Sequence, residues 1–82
     1  MSDTQKQKVV IYSTPTCTYC KMTKDFFTAN HVEYTDIDVS QNEEKRNEMV
    51  EKSGQMGVPV IDIENKIIIG FDEPKLKELL SL

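Results

Sequence analysis

Two cysteines are the residues best equipped for chemistry in this chain, and they stand close together: Cys17 and Cys20, in the stretch TPTCTYCK over 14–21. A pair at this spacing can be a cross-link, half of a metal clip, or a dithiol that cycles. As a cross-link it closes a very short loop, which contributes roughly 2 kcal/mol before strain is subtracted. A small domain in need of a staple gains more by joining distant elements. As a metal clip it has only His31 to recruit. That makes three candidate ligands where a structural zinc takes four, with His31 about three helical turns beyond the cysteines. No metal is expected. The redox reading is left as the one that suits both residue type and spacing.

The elements around the pair strengthen that reading. KVVIYS, 8–13, is a short apolar run rich in β-branched residues and predicts a buried strand. Pro15 and Thr16 end it. A helix is predicted from Cys17 to Asn30, with Thr16 as its N-cap and with Met22, Phe26 and Ala29 on one face beside Phe27. The two cysteines thus fall where a strand hands over to a helix. Free N–H groups and the positive end of the helix dipole point there, and both favour a thiolate. Cys17, at the first helical position, has the better access to those groups and is read as the attacking sulfur. Cys20, a turn inside, is read as the buried resolving partner. Lys21 adds positive charge nearby or is simply solvated, and Thr18 either bonds to the sulfur or faces solvent. Tyr19 is read as shaping the substrate surface.

Lowering a thiol's pKa has opposed effects. An unperturbed thiol is only about 3% ionised at pH 7. Full ionisation therefore raises the attacking species roughly thirtyfold, but intrinsic nucleophilicity falls by nearly as much. The net advantage lies in departure, because a stabilised sulfur leaves a mixed disulfide faster.

The rest of the chain supplies a scaffold. EYTDIDV, 33–39, predicts a second strand with Thr35, Ile37 and Val39 on one face. Ser40, with Glu43 three residues on, has the spacing of a capping box and predicts a mostly polar helix that reaches Ser53 and stops at Gly54. Met49 and Val50 are its apolar anchors. VPVIDI, 58–63, and KIIIG, 66–70, predict a hairpin turning at Glu64 and Asn65, with Pro59 at the first strand position. Asp72 predicts the cap of a last helix, Pro74 its first turn, and Leu76, Leu79 and Leu80 its apolar face. Met22 and Met49 are expected in the core, and Met56 exposed beside the site. The order β-α-β-α-β-β-α makes an α/β fold: a four-stranded mixed sheet flanked by three helices, in one domain over 1–82 whose first seven residues are expected to fray.

Composition narrows the setting. The chain has 82 residues, 29% of them charged, and a formal net charge of -4. An acidic surface without a basic run is a poor match for nucleic acid or an anionic membrane. No apolar stretch approaches the roughly 20 residues that cross a bilayer. MSDTQKQK has no apolar core behind it, so a cytoplasmic location is expected, and there cysteine pairs are more often catalytic or metal-binding than structural. A monomer is expected.

With IYSTPTCTYCK after the first strand, GVPVIDI later and IIGFDE before the last helix, the chain resembles the glutaredoxins over nearly its whole length. The resemblance implies a thioredoxin-like fold and a dithiol thiol–disulfide oxidoreductase, an electron-transport enzyme reducing protein or glutathione mixed disulfides. It implies Cys17 as nucleophile, Cys20 as resolving cysteine, and a cis peptide bond at Val58-Pro59 in a loop that pairs with an extended thiol peptide. It implies glutathione as co-substrate. Gln55 lies at the place that meets its glycine carboxylate, and Asp72 and Glu73, with Gly70 and Phe71, lie where its glutamyl end is held; Tyr19 and Val58 complete the contacts. Three positions depart from the family's pattern. Thr18 replaces a frequent proline, Thr14 a frequent lysine, and Gly70-Phe71 a Gly-Gly. The Gly-Phe is similar to the glutaredoxin-like hydrogen donors of ribonucleotide reductase, which implies thioredoxin reductase as an alternative electron source. The missing motif proline implies a further alternative, an iron–sulfur cluster carrier with glutathione as co-ligand.

Overall fold

The computed structural model describes residues 8–82; the expected fraying of residues 1–7 lies outside the described residues. In chain order the elements are β1 (Val9–Ser13), α1 (Thr18–Ala29), β2 (Thr35–Asp38), α2 (Glu43–Ser53), β3 (Val60–Ile63), β4 (Lys66–Ile69) and α3 (Glu73–Leu80). The sheet order is β2-β1-β3-β4. β1 runs parallel to β2, with Ser13 opposite Asp38, and antiparallel to β3, with Tyr12 opposite Val60. This is the mixed four-stranded sheet that the order of elements predicts.

Alternation along the strands sends side chains to two separate cores. Val9, Ile11, Ile61, Ile63 and Ile68 meet Phe27 of α1 and Leu76 and Leu80 of α3 on one face. Tyr12 and Val60 meet Val39 and Met49 of α2 on the other. The first core is the larger, and it holds α1, the cysteine-bearing helix, through the wholly buried Phe27, whose ring lies 5.3 Å from that of Tyr34. Lys24 and Ser13 add a polar tie, both bonded to Asp36 on β2, at 2.9 and 2.6 Å.

Several local expectations are corrected. The N-cap of α1 is Cys17, not Thr16, which is exposed in the preceding turn. The buried face of α1 is Cys20, Thr23 and Phe27, at spacings of three and four. Rotating the helix to bury Cys20 turns Met22 outward to 42% exposure and leaves Ala29 exposed. Thr23 fits this face because its hydroxyl bonds back to the carbonyl of Tyr19 at 2.8 Å. Asn42, not Ser40, caps α2, accepting from the Lys45 N–H at 3.1 Å. Ser40 is taken by Asp38, to which its N–H and hydroxyl both donate. β2 is shorter than expected at both ends, and β3 starts at Val60, just after Pro59. Gly54 ends α2 at φ 75° and Asp72 caps α3, as the sequence predicts.

Candidate active site

The site lies at the end of the sheet where β1 exits. Residues 14–17 form the turn into α1, tied by the Cys17 N–H donating to the Thr14 carbonyl at 3.3 Å. Cys17 is in extended conformation at φ -90°, ψ 113°, and its Sγ accepts the Cys20 N–H at 3.1 Å. That is the side-chain-to-backbone bond of an N-cap, made by sulfur in place of oxygen. The two cysteines are joined as a disulfide, with Cα atoms 5.2 Å apart. Cys17 is half-buried and Cys20 fully buried, so solvent reaches the pair from the Cys17 side. Thr18 and Tyr19 are exposed, Tyr19 to 62%. Lys21 turns along the helix to pair with Asp25 at 3.1 Å, so its charge is offset there.

The second wall comes from the loop between α2 and β3. Because Val60 stands opposite Tyr12, the segment just before β3, Val58 and Pro59, lies at the same end of the sheet as the exit of β1. The Val58-Pro59 peptide is cis. Pro59 is buried, while Val58 is half-buried with its side chain against the α2-side core. The Gly70 N–H donates to the Pro59 carbonyl at 2.8 Å, which brings in the third segment. Phe71 then packs edge-on against Phe26 of α1 at 5.8 Å. Asp72 is exposed and accepts the Lys75 N–H at 3.3 Å, and Glu73 pairs with Lys77 at 3.2 Å.

So the structure brings Cys17, Cys20, Tyr19, Val58, Pro59 and the 70–72 segment to one end of the sheet. Gln55 is engaged differently from the role the resemblance implies. Its Oε1 accepts the Gly57 N–H at 2.7 Å and its Nε2 donates to the Gly57 carbonyl at 3.0 Å, so its amide braces its own loop. Met56 beside it is 68% exposed, as expected. His31 is exposed past the far end of α1. Among the described residues, no group of three or more His, Cys, Asp and Glu side chains is gathered as metal ligands.

One cluster behind the site escaped the sequence reading. The Lys52 ammonium donates to Asp62 on β3 at 2.8 Å and to the Tyr12 hydroxyl on β1 at 2.9 Å. The Tyr12 hydroxyl in turn donates to Glu48 at 2.6 Å. Asp62 also accepts the Asn65 N–H at 2.8 Å. Hydrogen bonds from Lys52 to Asp62 and to Tyr12 raise the lysine's pKa. Burial, then the bond to Glu48, raises that of Tyr12, and the tyrosine hydroxyl holds Glu48 below the usual carboxylate range. The available signal was Asp62, the one charge inside the otherwise apolar VPVIDI run.

Known proteins resemble this chain in sequence and fold. The glutaredoxin family model matches residues 9–68. A glutaredoxin-like 8.6 kDa protein of the rubredoxin operon of Clostridium pasteurianum is 40% identical over 73 residues, 89% of this chain and 97% of that one. Glutaredoxin 3 of Escherichia coli K12 is 35% identical over 65 residues, 79% and 78% of the two chains. The crystal structure of a glutaredoxin from Archaeoglobus fulgidus superposes with a TM-score of 0.84 at 29% identity, over 92% of this chain and 87% of that one. With the family model spanning most of the chain and its cysteine pair seated at the strand-to-helix junction, this protein belongs to the glutaredoxin family.

Proposed function

We propose that the chain is a dithiol thiol–disulfide oxidoreductase in which Cys17 attacks and Cys20 resolves. The observation that carries the reading is the asymmetry of the pair: Cys17 caps α1 with its sulfur at the accessible face, while Cys20 is buried behind it. The reduced Cys17 thiolate attacks one sulfur of a substrate disulfide. A Cys17–substrate disulfide forms, and the other half of the substrate leaves as a thiolate that takes up a proton. Cys20, deprotonated, then attacks the Cys17 sulfur. The Cys17–Cys20 disulfide forms, the second substrate thiolate leaves, and two electrons have passed from the dithiol to the substrate. An N–H aimed at the Cys17 sulfur stabilises it both as attacking and as leaving group.

Glutathione is the proposed reductant, two molecules restoring the dithiol and leaving as their disulfide. The backbone of Val58 pairs with its peptide as an added strand, with Tyr19 and Pro59 flanking. The exposed Asp72 and Glu73 at the start of α3 receive its glutamyl end. A second reading, reduction by a thioredoxin-reductase-type flavoenzyme, is favoured by Gln55, whose amide is spent within its own loop. It is favoured too by Phe71, whose ring fills the space beside Phe26. A cytoplasmic setting goes with this reading; among the described residues no helix is long and apolar enough to cross a membrane.

A recycling assay tests both. A small disulfide and NADPH are offered with either glutathione and glutathione reductase or thioredoxin reductase alone. Turnover with glutathione supports the first reading, and turnover with thioredoxin reductase alone supports the second. No turnover with either overturns the oxidoreductase reading.

A further inference from the structure

The polar cluster behind the site has a geometry that bears on the substrate loop. α2 is thinly held by packing: among its residues only Met49 is buried, with Val50 half-buried. Met49 and Val50 pack in one cluster with Tyr12, Val60 and Ile67 of the sheet. Beside that contact a groove of about 470 Å³, lined by Val10 and Ile37, separates part of α2 from the sheet. Directional bonds span it. Lys52 reaches from the last turn of α2 to both central strands, to Tyr12 on β1 and Asp62 on β3. The Asp62 side chain is 9% exposed and that of Lys52 33%, so the bridge is buried at its carboxylate end and open to water at its ammonium end.

The next residues lead directly to the site. Ser53 Oγ donates to the Met49 carbonyl at 2.8 Å and bonds to the Gln55 carbonyl at 3.0 Å. Gln55 braces Gly57, and Val58 follows, its side chain resting on the same core as Met49 and Tyr12. We infer that Lys52 is a positioning residue for the thiol–disulfide reaction: by clamping the end of α2 to β1 and β3 it sets where the 55–59 loop presents the Val58 main chain beside Cys17. Lys52 does not touch the sulfurs. Its effect falls on substrates that pair with the loop, so it tunes selection of peptide disulfides over small ones. This rests on the oxidoreductase reading above.

The test is a single-turnover reaction of the reduced protein with two mixed disulfides of thionitrobenzoate. One is on a central cysteine of an extended peptide; the other is on mercaptoethanol, which has no amide to pair. Lys52→Met should raise the half-saturating peptide concentration about tenfold, the scale of effect expected when a positioning contact shifts by a fraction of an ångström. The limiting rate, and the rate with the small disulfide, should stay within about twofold. Lys52→Arg, which keeps the charge and two-way bonding, should restore peptide binding. A parallel loss with both disulfides, or no change with either, would overturn the inference. If Lys52→Met does not fold, Asp62→Asn, which keeps the side-chain shape, must show the same selective loss or the inference fails. A wild-type protein that reacts with neither disulfide sinks the oxidoreductase reading itself.

Discussion

Cys17 has two jobs in this structure, and they can be separated. It is the accessible sulfur, and it is the N-cap of α1, accepting the Cys20 N–H at 3.1 Å. The comparison is made in a Cys20→Ser background, which removes the disulfide and keeps the donating N–H. Cys17→Ser replaces sulfur by one of the best capping groups, whereas Cys17→Ala removes the acceptor. Losing a cap costs about 1 kcal/mol, up to about 2. Residue 17 is only half-buried, so water partly replaces the lost partner and the lower figure applies. In a domain of this size 1 kcal/mol moves Tm by about 4–8 °C. The serine protein should therefore melt about 4–8 °C above the alanine protein by far-UV circular dichroism. For scale, the native cross-link, at a sequence separation of 3, contributes roughly 2 kcal/mol. Both variants should be inactive in disulfide reduction. Superposed melts would refute the reasoning: position 17 would not cap the helix, and the argument that an N–H stabilises the attacking sulfur would lose its geometric basis.

Two further outcomes are expected. Phe27→Ala, which empties the centre of the larger core beside Tyr34, should destabilise the protein by about 3–5 kcal/mol in denaturant titration while leaving the site chemistry of the folded fraction intact. Stability should fall as pH rises above the ordinary tyrosine and lysine values of 10.0 and 10.5, because Tyr12 and Lys52 both have raised values in the folded state. There the unfolded chain has released protons that the folded one still holds, so each rise in pH favours unfolding; a flat urea midpoint between pH 9 and about 11 would contradict this.

The sequence was most readable where a single physical cause acts. β-branched runs gave the strands, and their order gave the sheet. Gly54 and Asp72 announced a helix end and a helix start because their backbone and side-chain chemistry leaves few other uses. It was least readable where two causes compete. Two faces of α1 have helical spacing, one through Met22 and Phe26, the other through Cys20, Thr23 and Phe27, and apolarity alone prefers the first. Burial of Cys20 selects the second, at the expense of exposing Met22. Ser40 had the spacing of a cap, but a carboxylate two residues away claimed its hydrogen bonds. For the candidate site, the cysteines and the Val58-Pro59 loop were legible as local motifs. The Gln55 brace and the Lys52 bridge were not, because each depends on which partner the fold brings near, and Tyr12, Lys52 and Asp62 lie far apart in the chain.

The strand order also bears on how the protein is made. Of the four strands β1 is synthesised first, but it occupies the interior of the sheet, between β2 and β3. Its pairing with β2 can form once residue 38 is free, whereas Tyr12 must wait for Val60. Over that interval β1 keeps one edge unpaired and Ile11 lacks its partner Ile61. An unpaired edge on a nascent chain is a template for mispairing. Both cysteines are already synthesised by then, with the wall built by residues 55–59 still to come. Under the proposed function, the nascent chain carries both sulfurs before the loop that would select their partners has been made.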